Sequence, residues 1–275
     1  MRLRRSAALV AVAITLVLAG CGGSASGSRT SLTVTGSTTV MPIAEVAATE
    51  FEAANPGKRI LVSGIGSSAG IEAVTKGTCD IGTSSRDLKP EEQSLGLVDI
   101  KIALDAIAVI VNPSNPVTGL TKAQVSDIFQ GKIKNWKEVG GPDLEIGLVN
   151  RDEASGTREA FSKFVLGTAD FDPTAAVLPG TGQVRAVVAQ AAGAVGYISL
   201  GFVDPSVKAL SIDGIPANET MVGNGTYPLS RYLHFLTKGQ PTGLAKAYID
   251  FVLSPKIQDS VVRDAGFLPV AEGGK

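Results

Sequence analysis

A chain of 275 residues that is 44% hydrophobic and 5% aromatic can bury one large domain or two lobes of ordinary size. Its formal charge of −1 at pH 7 argues against nucleic acid as a partner. Its two cysteines, Cys21 and Cys79, offer no disulfide framework, because Cys21 belongs to the leader signal described next, so stability has to come from core burial.

The first residues carry Arg2, Arg4 and Arg5, then an apolar run from Ala7 to Ala19, then Gly20-Cys21. That order is a positive region, a short hydrophobic region and small residues before a cleavage point, and the run is too short for an ordinary membrane span. It resembles the bacterial lipoprotein signal, which makes residues 1–20 a signal peptide and Cys21 the lipidated anchor. A plain secretory leader, or a membrane helix with Cys21 incidental, is the competing reading. Residues 21–30 are, after the cysteine, Gly, Ser, Ala and Thr with one Arg, the composition of a flexible tether. Loss of residues 1–20 removes three of the 25 basic residues and no acidic one, leaving 22 against 26 and a charge of −4.

Beyond the tether, short β-branched runs alternate with segments of helical period, which predicts βα units and a mostly parallel sheet. Leu32 to Thr35 is a candidate strand, and Ile43, Val46, Ala47 and Phe51 share a helical face that ends near Asn55-Pro56-Gly57. Ile60 to Val62 is a second strand, followed by a helix that carries Ile71 and Val74 and stops at Gly77. Ile102 to Val111 is a long apolar run interrupted by Asp105 and closed by Asn112-Pro113. Thr121 and Gln124 have capping-box spacing before a helix with Val125, Ile128 and Phe129 on one face and a stop at Gly131. After Gly140-Gly141-Pro142 come a strand at Ile146 to Val149 and a helix with Phe161, Phe164 and Val165. Gln183 to Ala192 reads as helix, Ala194 to Ile198 as strand, and two helices, Leu244 to Leu253 and Lys256 to Asp264, flank Ser254-Pro255. No long linker divides the chain, so a two-lobed arrangement must use crossing strands as hinges.

Three of these strands run into a turn of small hydroxylated residues that opens a helix: Gly36-Ser37-Thr38-Thr39, Gly66-Ser67-Ser68-Ala69-Gly70 and Ala154-Ser155-Gly156-Thr157. A helix N-terminus presents unpaired N–H groups and partial positive charge, so several converging on a point can hold a dehydrated anion. Taken singly, each turn reads first as a helix cap. Three together, with Arg151 four positions before Ser155, point to an oxyanion site, because arginine adds fixed donors and a permanent charge. None matches a nucleotide-binding phosphate loop, and no metal-ligand or nucleophile-elbow motif is present. The single histidine, His234, lies in the apolar stretch Tyr232 to Leu236 and offers no catalytic constellation.

The chain resembles the phosphate-binding proteins of bacterial phosphate ABC transporters. The likeness rests on seven segments in order: GSTTVMPI from Gly36, GIGSSAGI from Gly64, IFQGKIKNWKEVGG from Ile128, RDEASGTR from Arg151, GAVGYISL from Gly193, YPLSRYL from Tyr227 and DAGFLPV from Asp264. The resemblance implies an α/β, type II periplasmic-binding-protein fold with two lobes, each a mixed sheet flanked by helices, joined by two crossover strands. Lobe one is expected to comprise 31–106 plus 226–275, and lobe two 107–225. Carried over by position, Thr38, Thr39 and Ser67 donate from one lobe, and Arg151, Ser155, Gly156 and Thr157 from the other. Glu153 is assigned either to orient Arg151 or to plain solvent exposure. Many relatives place a carboxylate five residues after the aspartate of D-I-G, where it accepts the phosphate proton; here that position is Ser85. Arg86, as a further charged donor, and Asp105, inside the crossing strand, join Ser85 as additional candidate ligands. For Asp105 a local backbone or arginine contact is the other reading.

The expected activity is binding, not catalysis: an extracytoplasmic, lipid-anchored monomer that binds inorganic phosphate between its lobes and hands it to the membrane permease of an ABC transporter, with no cofactor, metal or nucleic acid. Closure around the anion excludes water and strengthens each charge-assisted hydrogen bond. The competing readings are the same fold holding sulfate or molybdate, and a phosphate-ester hydrolase using Ser155.

Overall fold

The computed structural model describes residues 30–270; the leader, Cys21 and the tether up to residue 29 lie outside the described residues. Strand β1 (Ser31–Gly36), helix α1 (Met41–Ala54), β2 (Arg59–Gly64), α2 (Ser67–Lys76) and β3 (Ile81–Ser84) come first. A short α3 (Pro90–Gln93) leads into β4 (Leu97–Val111), the longest strand. Then follow β5 (Gly119–Leu120), α4 (Lys122–Phe129), β6 (Gly147–Arg151), α5 (Gly156–Phe161), β7 (Ala176–Leu178), α6 (Thr181–Gln190) and β8 (Ala194–Ser199). The chain closes with β9 (Lys208–Ala209), β10 (Ser211–Ile212), α7 (Glu219–Gly223), β11 (Ser230–Lys238), α8 (Gly243–Val252) and α9 (Pro255–Ile257).

Strands β2-β1-β3-β11-β4-β8-β6-β7 form one curled sheet in that order, with β9 also beside β4, while β10 and β5 pair separately. Strand β4 belongs to both halves. Its first part, up to Ala106, pairs antiparallel with β11, and from Ile107 onward it pairs antiparallel with β8. The outer strands of each half are parallel: β1 with β2 and β3, and β6 with β7 and β8. The sheet is therefore mixed, and the mostly parallel arrangement expected from the alternation of runs is corrected. Strands that cross between lobes run against their neighbours, whereas the βα units on either side keep the parallel sense.

Each half is covered on both faces, which explains why its strands read as continuous apolar runs. In the first half, Leu32, Val34 and Ile81 pack with Ile43, Phe51 and Tyr248, and Ile71, Val74 and Leu236 cover the other side. In the second half, Val109, Phe129, Trp136, Phe161 and Tyr197 form the larger core, opposed by Ile110, Val149, Val184 and Val188. Phe161 stacks on Tyr197 with ring centroids 4.1 Å apart. Complete burial of an aromatic or branched side chain of this kind contributes about 1.5–3 kcal/mol.

Helix α4 begins with the expected capping box: Thr121 accepts from the Gln124 amide and Gln124 accepts from the Thr121 amide. Helix α1 buries Ile43, Ala44, Ala47, Ala48 and Phe51, but Val46, expected on that face, is 47% exposed. Helix α6 starts at Thr181, two residues before the predicted Gln183, and that difference bears directly on the site.

Candidate functional site

The three hydroxylated turns meet at the junction of the two halves, and the Gly180-Thr181 start of α6 joins them as a fourth. Thr39 Oγ1 lies 3.1 Å from Thr157 Oγ1 and 3.3 Å from Thr181 Oγ1, while Thr38 Oγ1 lies 3.1 Å from Thr181 Oγ1. Ser85 Oγ stands 3.4 Å from Ser67 Oγ and 3.5 Å from Thr157 Oγ1. Thr39, Ser67, Ser85, Ser155, Thr157 and Thr181 are all buried. Their hydroxyls bridge the halves, and because each both donates and accepts, each can turn its proton toward an anion between them. All of these except Thr181 line one small, tightly closed space together with Ser37, Thr38, Gly66, Arg151 and Gly156.

Capping and site roles coexist at two serines. Ser37 Oγ accepts from the Thr39 and Val40 amides, and Ser155 Oγ accepts from the Arg158 amide. Those contacts use oxygen lone pairs and leave the hydroxyl hydrogens free to donate. Helices α2 and α6 have glycine at the N-cap, Gly66 and Gly180, with no side-chain cap, so no side chain of the cap competes for their first-turn amides. The glycines also permit close approach. A Cβ on Gly156 would stand 2.3 Å from Ser67 Oγ, and one on Gly66, at φ +99°, would stand 2.7 Å from Ala154 of the facing turn. Across the same seam the Ser68 amide donates to the Ala154 carbonyl at 3.2 Å.

Arg151 ends β6 and is 2% exposed. Its Nε donates to the Leu178 carbonyl, Nη2 to the Pro179 carbonyl at 2.9 Å and to Thr38 Oγ1, and Nη1 to Thr181 Oγ1 at 3.1 Å. These partners are neutral, and among the described residues Arg151 makes no ion pair. Burial lowers its pKa from the ordinary value, an effect that neighbouring Asp152 opposes, yet a guanidinium stays charged at neutral pH. A buried cation held by dipoles alone carries a positive charge for which a ligand is the fitting counter-ion. Glu153 next to it is exposed, so solvent, not the guanidinium, receives that carboxylate.

Two of the proposed ligands are placed elsewhere. Asp105 accepts from Arg231 Nε at 3.0 Å and Nη2 at 2.9 Å with Oδ2, and from Ser199 Oγ at 2.7 Å with Oδ1. Burial pushes this carboxyl upward while Arg231 and Ser199 oppose the shift. With both oxygens engaged where β4 and β11 cross, Asp105 is a structural group of the hinge and not part of the hydroxyl cluster. Arg86 is likewise engaged: it donates to both oxygens of Glu92, at 2.6 and 2.8 Å, and pairs through Nε with Glu159. Its charge is compensated before any ligand enters. Thr38, Thr39, Ser67, Ser85, Arg151, Ser155, Gly156 and Thr157 are brought together as expected from the sequence.

Thr181 was missed. The signal was present, a glycine and a hydroxylated residue directly before an apolar-periodic helix, but Pro179-Gly180-Thr181-Gly182 reads as loop and moved the predicted helix start past it. His234 is buried on β11 with Nδ1 2.7 Å from Asp99, and it does not line the cleft. Among the described residues no group of His, Cys, Asp or Glu side chains is arranged to hold a metal, and no helix is long and apolar enough to cross a membrane.

A family model described as a PBP superfamily domain matches residues 23–256. The phosphate-binding protein PstS of Bacillus subtilis is 37% identical, over 96% of this chain and 93% of its own length. PstS of Borreliella burgdorferi is 31% identical, over 87% of this chain and 90% of its own. Among solved structures, a phosphate ABC transporter substrate-binding protein of Clostridium perfringens with bound phosphate superposes with a TM-score of 0.84 at 40% identity, over 87% of this chain and 99% of that one.

Proposed function

The chain belongs to the PBP superfamily and, within it, to the phosphate-binding proteins, and from that premise we propose that it binds inorganic phosphate between its lobes and delivers it to a phosphate-importing ABC transporter. The observation that carries the reading is the pairing of an uncompensated buried cation, Arg151, with a ring of hydroxyls contributed from both sides of one small cleft. A tetrahedral oxyanion needs several donors from several directions plus about one unit of charge, and this cleft offers both.

The ligand set is Thr38, Thr39, Ser67, Ser85, Arg151, Ser155, Gly156 and Thr157, extended by Thr181. Arg151 supplies charge and direction, while the hydroxyls and the first-turn amides of α2 and α6 supply neutral hydrogen bonds. Lobe one is 31–106 plus 226–275 and lobe two is 107–225; the change of partner along β4 between Ala106 and Ile107 supports this division. In the cycle, phosphate first meets one lobe's donors in water. Closure then brings the other lobe's hydroxyls onto it and excludes solvent, strengthening each charge-assisted bond. The closed form docks on the permease, and the protein catalyses nothing. It works as an extracytoplasmic monomer held to the membrane through a lipid on Cys21.

Calorimetric titration with phosphate, sulfate and arsenate tests the reading. One phosphate per chain with sulfate excluded is the expected result. Heat with sulfate and none with phosphate would reassign the cleft to another oxyanion, and phosphate released from a phosphate ester would reassign the protein to catalysis.

A further inference from the structure

Arg86 follows β3 in the first half of the molecule, and its guanidinium is 6% exposed. Within its own half it is clamped by both oxygens of Glu92, whose Oε2 also accepts the Lys89 amide at 2.8 Å. The Arg86–Glu92 pair thus forms a doubly bonded, largely buried platform, with Lys89 beside it. Facing it is Glu159, in α5 of the other half. The carboxylate of Glu159 spans the gap, one oxygen paired with Arg86 Nε and the other with Lys89 Nζ.

Charge makes this contact specific to the closed arrangement. With the halves together, Arg86 and Lys89 balance Glu92 and Glu159. Drawn apart, Arg86 and Lys89 lose the carboxylate that bridges them, and Glu159 loses both of its cationic partners. Connection to the ligand turn is direct, since the Glu159 amide donates to the Ser155 carbonyl at 3.1 Å. Glu159 therefore sits one helical turn from the Ser155-Gly156-Thr157 donors, and whatever fixes its carboxylate fixes where that turn lies against Ser67 and Ser85. Next to it, the Lys163–Asp87 pair at 3.5 Å is exposed at both ends and contributes little.

We propose that Glu159 is a positioning residue: anchored across the cleft by Arg86 and Lys89, it latches α5 over the bound anion and slows its release without touching it. The proposal rests on the phosphate reading for its kinetic consequence and on the two-lobed fold alone for its conformational one. Compensation of Arg86 by Glu92 within one lobe is what keeps the latch from being a second anion site. Partly buried charge pairs across an interface act mainly on dissociation.

The test replaces Glu159 by Gln, which removes the charge and retains the shape, and Lys89 by Met as an independent second variant. Phosphate dissociation is followed by stopped flow, thermal unfolding is recorded without phosphate, and X-ray scattering compares the size of the phosphate-free proteins. For Glu159→Gln the latch predicts dissociation faster by roughly tenfold, association within about twofold, and an unchanged phosphate-free melting temperature. A smaller change in the same direction is expected for Lys89→Met. Dissociation at the parent rate in both variants, or a fall in phosphate-free melting with no kinetic change, overturns the latch in favour of a purely structural pair. If the parent protein binds no phosphate, the functional reading fails by itself. Scattering then decides the latch: a larger phosphate-free Glu159→Gln protein upholds it, and identical sizes overturn it.

Discussion

Arg151 and Arg231 are both buried guanidinium groups, 2% and 6% exposed, yet their surroundings are opposite. Arg231 crosses from β11 to Asp105 on β4 and receives a full carboxylate, itself steadied by Ser199. Arg151 receives two carbonyls and two hydroxyls. The first arrangement closes its electrostatics inside the protein, and the second leaves them to be completed from outside. Burial of an arginine therefore does not mark a binding site; burial without a carboxylate, at a place where hydroxyls converge, does.

This contrast can be broken most severely at the hinge. Asp105→Ala strands Arg231 in the core and is expected to lower folding stability by about 3–5 kcal/mol, read by urea unfolding of the phosphate-free protein. Replacing both partners at once, Asp105→Leu with Arg231→Met, should recover most of that loss, because two apolar groups need no counter-ion. If Asp105→Ala unfolds like the parent, the pair is not what holds the crossing strands.

At the cleft the same kind of change should act on binding instead. Arg151→Met is expected to weaken phosphate by about 2–5 kcal/mol in calorimetry while leaving the phosphate-free melting temperature equal or higher, since it removes an uncompensated buried charge. A stability loss with affinity intact would make Arg151 a second Arg231. Thr181→Val sharpens the comparison more gently. It deletes one hydroxyl next to Arg151 and keeps the shape, so a loss of about 0.5–1.5 kcal/mol in phosphate affinity is expected. The smallest effect belongs to Lys163→Gln, whose exposed contact with Asp87 should change both affinity and stability by about 0–1 kcal/mol.

The same contrast explains what could be read in the chain beforehand. Elements whose signals are local were legible: the capping box at Thr121 and Gln124, the stop of α2 at Gly77, and the strand-to-helix turns at Gly36, Gly66 and Ala154. Strand β11 was not anticipated as a strand, because it carries Arg231 and His234 at buried positions where an apolar run would signal the core. Strand β3 has four residues and no apolar run to mark it. Asp105 meets Arg231 only through the folded topology, across 126 positions of sequence, and Arg86 meets Glu159 likewise across 73, although its bidentate partner Glu92 stands only six positions away; a charge looks free in a sequence until its partner is placed. Arg151 differs from both, because its partners are carbonyls and hydroxyls and, among the described residues, no carboxylate pairs with it.

The central claim, that donors from both lobes close on one phosphate around Arg151, is tested most directly by following backbone amide resonances of the protein during a phosphate titration. The expected result is saturation at one equivalent, with the largest shifts at Thr39, Ser67, Gly156, Thr157 and Thr181 together. Shifts confined to one lobe, or spread over surface lysines without saturation, would contradict it.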